Sequence, residues 1–452
     1  GVILITTKRG LAGKQEVVFS SNLTFDKAMC LPELQNHYGE SDVVESWGER
    51  EDICGSNPIT SFFKTGVMAI NTLALTTGNE RVQTYFSYGN TTGKGILETH
   101  RLTRHNINLR ETASFFEGRL NVDGNVNLLS QVTKNSPVPG GFYMNPLVGL
   151  YRFPRGKDIS EYKEHFEVRD ETRHLDVQNW HAPTEDFEQN PYWILNRITS
   201  RAKRVRAIVS VGLNLRITED LAVQARGSMD YVTDKFRQKF YASTAPALAG
   251  SNGRYIESDY EQELTYGDVI GTYKKKWNDF SLNVSLGASI NNNKVNELRY
   301  DSKTASLKYA NVFNIANINM TTSAYITQRI DATRQIQSVF GTAQFGFRKF
   351  LFLDVSARND WSSTLAFTSH ESTGFFYPSF GVSLLIDQLF KLPGWVNFGK
   401  LRGAWSKVGN DIPLYITNPV AHVLAGGGIQ ASDAAPFEEM QPEVNRSLEF
   451  GT

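Results

Sequence analysis

Three aromatic residues in one long segment between predicted strands are the best candidates for chemistry in this sequence. Trp180, Tyr192 and Trp193 lie among amide and proline residues. Flat Trp and Tyr rings stack on sugar rings or pack against apolar side chains, while neighbouring amides hydrogen-bond polar groups. One interpretation of this pattern is contact with a substrate. The alternative is that the rings pack the interior of a folded loop, because Trp and Tyr favour burial.

The motifs of enzymes, metal sites and cofactor sites are not found in the sequence. His100 and His105 are five residues apart on a predicted strand, which places them on opposite faces. No glycine-rich phosphate cradle, Gly-x-Ser-x-Gly elbow or EF-hand spacing occurs. Surface charge explains the carboxylate-rich residues 33–52 and 161–176. The sequence therefore predicts no catalytic, cofactor-binding or metal-binding residues, and a protein that is not an enzyme.

Composition excludes two broad classes of protein. The 452 residues include 47 basic and 47 acidic side chains, so the net charge is zero and the basic excess of a nucleic-acid-binding protein is missing. Hydrophobic residues make up only 40%, and no run approaches the roughly 20 apolar residues of a spanning helix.

Cys30 and Cys54 share one predicted loop, either as a disulfide or as two unpaired residues.

The elements that must position the aromatic segment are strands with one apolar face. In residues 204–217, Val205, Val209 and Leu213 alternate with polar residues such as Ser210 and Asn214. Period two places the two sets on opposite faces of a strand. The run is longer than the strands of most soluble domains and long enough, when tilted, to cross a bilayer. The pattern predicts an all-β protein, an antiparallel transmembrane β-barrel.

The lengths of the predicted connections support a barrel. Short turns join most strands at one end, and long segments, such as residues 26–67 and 135–203, join them at the other. We count about fourteen strands. An open sheet of this kind would expose an unpaired edge, so we expect missing strands to close it and expect the chain to be a fragment of a longer precursor.

Several ordered stretches resemble one family of transport proteins. The first, at residues 1–10, is GVILITTKRG, and the next is NTLALTTGNERVQTYFSYGNTTGKGILETHRLTRHNINLR. Others are GFYMNPLVGLYRFPRG, NPYW, FLFLDVSARNDWSSTL, FFYPSFGVSLL and KLRGAWSKVGND. Together they are similar to the SusC/RagA-type TonB-dependent outer-membrane transporters, in order and through most of the chain.

The resemblance implies a barrel of about 22 strands with a plugged lumen. Residues 1–14 would end the plug domain, and residues 15–452 would be an incomplete barrel. It further implies active import of oligosaccharides or peptides, powered through a TonB complex that contacts a missing N-terminal part. A SusD-like surface lipoprotein would act as a lid, so Trp180, Tyr192 and Trp193 become candidates for substrate or lid contact. The location would be a Gram-negative, Bacteroidota-like outer membrane, with its lipid around the barrel.

Two other interpretations of the sequence remain open at this point. A passive porin or structural outer-membrane barrel would share the strands, but it has no reason to carry an apolar run at residues 1–10 before its first barrel strand. A soluble all-β glycan-binding or hydrolytic protein would mix loop lengths at both ends of its sheets.

Overall fold

The structure is a computed structural model of the chain. It describes residues 8–41, 45–51, 57–138, 143–182, 188–304, 307–319, 325–390, 393–394, 396, 398–423 and 428–452. The predicted plug strand at residues 1–10 lies outside the described residues except for positions 8–10. Cys30 is exposed, and its predicted partner Cys54 lies outside the described residues, so their pairing stays a prediction.

In the part of the chain that the structure describes, one antiparallel sheet of fourteen strands forms the body of the protein. Its strands are β1 (Gln15–Asp26), β2 (Gly66–Gly78), β3 (Val82–Lys94), β4 (Arg101–Phe115), β5 (Leu120–Lys134), β8 (Ile198–Arg216), β9 (Leu221–Phe240), β10 (Arg254–Trp277), β11 (Phe280–Asp301), β12 (Tyr325–Phe347), β13 (Leu351–Ser362), β14 (Phe375–Leu385), β15 (Lys400–Asn410) and β18 (Glu443–Gly451). Each pairs with the next in this order. The predicted fold class and the strand count are confirmed.

Among the described residues, the connections carry two small hairpins and four short helices. The hairpins pair β6 (Glu167–Asp170) with β7 (Leu175–Gln178) and β16 (His422–Val423) with β17 (Ile429–Gln430). The helices are α1 (Pro58–Phe62), α2 (Pro146–Arg152), α3 (Ser160–Glu164) and α4 (Pro191–Arg197). Three-residue 3₁₀ turns occur at Ile315–Asn317, Ser363–Leu365 and Ile386–Gln388. In the described part of the chain, every helix is too short or too polar to cross a membrane.

Three of the helices begin with the same dipeptide. Asn57, Asn145 and Asn190 each precede a proline, and each side-chain oxygen accepts a hydrogen bond from the backbone N–H two residues on. The Asn caps an N–H group that has no partner inside the helix, and the proline's fixed φ suits the first helical position. Asn-Pro therefore sets the start of α1, α2 and α4.

The two faces of the sheet differ in polarity along strands β4, β5, β8 and β9. Leu109, Val126, Val209 and Met229 lie directly opposite one another across β4, β5, β8 and β9, and the exposed members of this row have no protein layer over them. One position along, Arg110, Asn125, Ser210 and Ser228 form the matching row of the other face. We call these the apolar face and the polar face. A wet lumen inside hydrocarbon requires this division.

Connection lengths divide the sheet into two ends. At one end the strands join through residues 79–81, 116–119, 217–220, 278–279 and 348–350, with a longer link at 386–399. At the other end lie residues 27–65, 95–100, 135–197, 241–253, 302–324, 363–374 and 411–442. Bacterial outer-membrane barrels have short periplasmic turns and longer external loops, and by this pattern we call the second end the external end.

Strands β10, β11 and β12 are longer than the alternation predicts. The sequence favours residues 264–273 for β10, whereas the strand begins at Arg254. The added part carries charge on both faces, and its ladder is supported by cross-strand ion pairs such as Arg237–Glu257 at 2.7 Å. Above a bilayer no face has to be apolar, so the strand continues after its hydrophobic pattern has ended.

The two edge strands are exposed along nearly their whole length. Within the described residues, β1 and β18 each pair with a single strand and not with each other. Their free N–H and C=O groups cannot stay unpaired in hydrocarbon. Within a bilayer, each of the two edges therefore needs a strand partner.

Charge placed on the apolar face should hinder assembly. Val209→Arg or Leu213→Arg puts a cation near the middle of the bilayer, at a cost of about 2–4 kcal/mol, whereas Ser210→Arg or Asn214→Arg should be far milder. Heat-dependent mobility of the full-length protein on SDS gels measures the folded fraction. Equal damage from both pairs would show that the faces are assigned wrongly.

Candidate functional site: the polar face and the loop cap

Paired charges line the polar face. The Arg110 guanidinium donates to the Asp123 carboxylate at 2.8 and 3.0 Å, joining β4 to β5. Arg226 donates to Asp268 at 2.6 Å between β9 and β10, and the Tyr266 hydroxyl donates to the same carboxylate at 2.6 Å. Bidentate charge-assisted bonds of this kind hold planar groups in fixed orientation. The wall is therefore hydrophilic at these positions, and each of the two pairs is neutral as a unit.

A cavity of 890 Å³ lies against this wall near the short-turn end. Arg9, Arg110, Asp123, Arg226 and Tyr266 are among its lining residues. The Arg110–Asp123 pair and Arg226 of the second pair border the cavity, so a solute on this side meets hydrogen-bonding groups from five strands, β4, β5, β8, β9 and β10. The space is large enough for a small ligand.

The first described residues lie against the same wall. A Cβ atom on Gly10 would come within 2.6 Å of the Thr84 backbone nitrogen, so only glycine fits where this segment crosses β3. Arg110 also donates to the Lys8 carbonyl oxygen at 3.5 Å. The chain thus approaches β1 from the polar side of the sheet, which is the side that a plug would occupy.

At the external end, four connections pack into one unit. We call this unit the loop cap, formed by the described parts of residues 27–65, 135–197, 241–253 and 302–319. Arg155 donates to the Gln35 carbonyl oxygen at 2.9 Å, and Ala242 N–H donates to Asn311 Oδ1 at 2.7 Å. An apolar core with Ile59, Leu150 and other side chains lies between α1, α2 and α4. Through these contacts the four connections form one folded unit.

The three predicted contact residues lie inside the loop cap. Trp193 is fully buried and donates from Nε1 to Thr244 Oγ1 at 3.0 Å. Tyr192 is 5% exposed, and burial, aided by the nearby Glu98 carboxylate, raises its pKa to about 12. Trp180 is half-buried and donates to the Glu188 carboxylate at 3.0 Å. All three pack the cap, and their contact with substrate or lid stays a prediction.

A buried amide, missed from the sequence, holds α4 in place. The Asn190 side chain has no exposed surface; its oxygen accepts from Tyr192 N–H at 2.8 Å, and its nitrogen donates to the carbonyls of Tyr162 and Asn179. Such a group is stable in the interior only because every bond is made. The Asn-Pro pair at positions 190 and 191 was a usable signal for the helix start.

A second cavity, of 710 Å³, lies inside the loop cap. Most of its lining is apolar, from Ile96, Val138, Leu147 and Ile194 among others. Two of its polar members, Ser200 and Gln238, lie directly opposite each other on the polar face of β8 and β9. The cavity therefore lies on the lumen side of the sheet, above the charged wall.

The histidines whose side chains the structure describes show no metal-binding arrangement. His100 precedes β4 and does not lie on it, and His105 Nδ1 is 2.8 Å from the Tyr88 hydroxyl. Across the described ranges, no three His, Cys, Asp or Glu side chains are grouped to hold a metal ion.

Comparison with known proteins decides the family. The family model described as "TonB dependent receptor-like, beta-barrel" matches residues 149–452. The chain belongs to this family. The predicted resemblance to SusC/RagA-type TonB-dependent transporters is confirmed at the level of this family. The expectation that the protein is not an enzyme agrees with membership of a receptor family. Membership also places the chain among outer-membrane barrels. No curated protein matches the sequence.

Solved structures share the fold of this TonB-dependent receptor barrel. The RagAB peptide transporter matches with a TM-score of 0.73 at 14% identity, over 98% of this chain and 53% of that one. The RagAB peptide importer matches in its closed-closed state (TM-score 0.72, 16% identity) and its open-open state (0.70, 15%), with the same coverage. The chain thus spans about half the length of these proteins.

Loss of the buried amide should loosen the loop cap. Asn190→Ala leaves two carbonyls and one N–H without their partner, at a cost of about 1–3 kcal/mol for each buried group. Hydrogen exchange of residues 188–197 in the full-length protein should rise sharply. Asn145→Ala, which loses one hydrogen bond at the start of α2, is the control and should have a smaller effect. Equal effects would contradict the account.

Acid should release the external end of β11. Burial raises the pKa of Asp301, but hydrogen bonds from Arg254 and from Lys303 N–H outweigh burial and hold that pKa below its usual range. The stabilisation is therefore present above the unfolded pKa of about 4 and is lost as the pH falls through the lower folded pKa. Asp301→Asn should reproduce the loss at pH 7.

Hydrogen exchange of residues 302–319 measures this release. Asp331→Asn removes an exposed carboxylate that pairs with Lys294, and serves as the control. Protection that is equal in the two variants at neutral pH would contradict the assignment.

Proposed function

We propose that the chain is part of a TonB-dependent importer of the outer membrane, with residues 1–14 ending its plug and residues 15–452 contributing to its barrel. The observation that carries this proposal is the approach of residues 8–10 along the polar wall, beside the 890 Å³ cavity. A pull on a plug joined directly to β1 would act on this wall. Family membership supplies the link to TonB.

A passive porin or structural barrel is the alternative function. It would have the same division of faces but no need for a segment fitted against its inner wall. The Gly10 contact with the Thr84 backbone favours the energised importer, because the fit excludes any side chain larger than glycine's hydrogen.

The proposed partner above the barrel is a SusD-like surface lipoprotein. Support comes from the loop cap, whose packed interior presents a fixed outer surface. Tyr38 and Trp47 form an aromatic pair with ring centroids 5.7 Å apart, and Trp47 is 68% exposed. Exposed aromatic residues are typical of interaction surfaces. Trp180, Tyr192 and Trp193 would then serve lid or substrate contact by fixing the shape of that surface.

Of the two substrate classes, peptides are favoured over oligosaccharides. The loop-cap cavity is mostly apolar, and apolar side chains of a peptide gain from such a lining, whereas sugar hydroxyls would lose hydrogen bonds to water. The RagAB proteins with a similar fold are described as peptide transporters and importers. The proposed setting is a Gram-negative, Bacteroidota-like outer membrane.

Deletion of TonB tests the energised mechanism. Uptake of a labelled peptide mixture by cells with the full-length protein should fall to the level of cells without the protein. A porin predicts unchanged uptake in the deletion strain, and that result would overturn the proposal.

Filling the cavity tests the substrate class. Val138→Trp places a large ring at the apolar lining, and we expect peptide uptake to fall about tenfold, as for a lost apolar subsite. Val168→Trp, on β6 of the same cap and equally exposed, is the matched control. Peptide uptake that is unaffected by Val138→Trp, or an oligosaccharide taken up in its place, would refute the peptide assignment.

A further inference from the structure

Five basic residues form one row across five neighbouring strands. Lys94 on β3 lies directly opposite Arg101 on β4, Arg101 opposite Lys134 on β5, Lys134 opposite Arg201 on β8, and Arg201 opposite Arg237 on β9. All five side chains are exposed. The row is invisible in the linear sequence, where its members are up to 143 positions apart, from 94 to 237.

A second pair extends the row toward the membrane. Lys203 and Lys235 lie directly opposite each other, two residues from Arg201 and Arg237 on the same face. We call these seven residues the cationic row: Lys94, Arg101, Lys134, Arg201, Lys203, Lys235 and Arg237.

Only one end of the cationic row is neutralised by the protein. Arg237 pairs with Glu257 at 2.7 Å and Lys235 with Asp259 at 3.8 Å, both on β10. In the part of the chain that the structure describes, the other five cations form no ion pair. Like charges directly opposite each other destabilise a sheet. The arrangement therefore calls for negative charge from outside the chain.

The position of the row indicates where that charge lies. A second row lies on the same face of these five strands, six residues from the first row in the direction of the short turns. Its members, paired directly opposite one another, are Tyr88, Ile107, Leu128, Ala207 and Tyr231. Six residues are about 20 Å along a strand, and less in height once the strand is tilted. The row thus begins where the apolar band gives way to headgroups, at the external end of the strands.

We propose that the cationic row binds the phosphate groups of anionic lipid headgroups in the outer leaflet. The row faces sideways, on the same side as the lipid-facing residues, whereas a lid protein would rest on the loop cap above. Phosphates accept charge-assisted hydrogen bonds from Arg and Lys. The five strands present the Arg and Lys side chains of the row as one broad surface. Each such residue near an anionic surface strengthens attachment by about fivefold. The inference depends on the barrel's place in the membrane, not on what the barrel imports.

The test compares two charge-matched variants of the full-length protein. One carries Lys94→Gln, Arg101→Gln, Lys134→Gln, Arg201→Gln and Lys203→Gln. The control carries Arg81→Gln, Arg119→Gln, Lys274→Gln, Lys276→Gln and Lys349→Gln, which removes the same charge at the short-turn end. The probe is bisphosphorylated lipid A added to protein in neutral detergent, with phosphatidylcholine as the uncharged comparison.

We expect the first variant to bind lipid A more than about tenfold more weakly than the unchanged protein, and the control variant to bind within about twofold of it. Binding by the unchanged protein should weaken as salt rises. Equal lipid A binding by the two variants would overturn the proposal. So would normal lipid A binding together with loss of the surface lipoprotein, because the row would then serve a protein partner.

Stability without lipid separates binding from misfolding. In neutral detergent the first variant should unfold at the same or a higher temperature than the unchanged protein, since like-charge repulsion has been removed. Lipid A should raise the unfolding temperature of the unchanged protein and not that of the variant. A variant that unfolds earlier in detergent alone would show that the row supports the sheet itself, which contradicts the proposal.

Discussion

The structure depends on one constraint: each central strand must present hydrocarbon-compatible side chains and water-compatible side chains at alternate positions, while its neighbours satisfy its backbone. Strand β8 shows the constraint in full, with Val209 and Leu213 outward and Ser210 and Asn214 inward. Slippage of the register by one residue would bring every polar side chain into the bilayer. Register is therefore fixed by the membrane as much as by the turns.

Where the bilayer ends, the same strands follow different rules. The external parts of β10 to β12 keep their ladders with ion pairs in place of an apolar face. The cationic row occupies this transition on β3 to β9, and the loop cap lies beyond it. The polar wall, the cationic row and the loop cap thus follow one another along the strands of a single sheet.

The sequence predicts the sheet better than the cap. Period two and short turns identify the fourteen strands, because the bilayer imposes a strong and regular pattern. That pattern ends at the headgroups, which is why residues 254–263 of β10 were not predicted as strand. Inside the cap, Tyr192 and Trp193 are as consistent with ligand contact as with packing until their neighbours are known. Burial among α1, α2 and Thr244 depends on contacts between distant segments, and no local pattern encodes them.

The most direct measurement of the central claim is the accessibility of nitroxide labels placed one at a time at positions 209 to 214 of the full-length protein in lipid bilayers. The account predicts alternation: labels at 209, 211 and 213 are relaxed mainly by oxygen dissolved in hydrocarbon, and labels at 210, 212 and 214 mainly by a water-soluble nickel complex. Accessibility without period two, or with the two sets exchanged, would contradict the division of faces on which the barrel and its proposed transport depend.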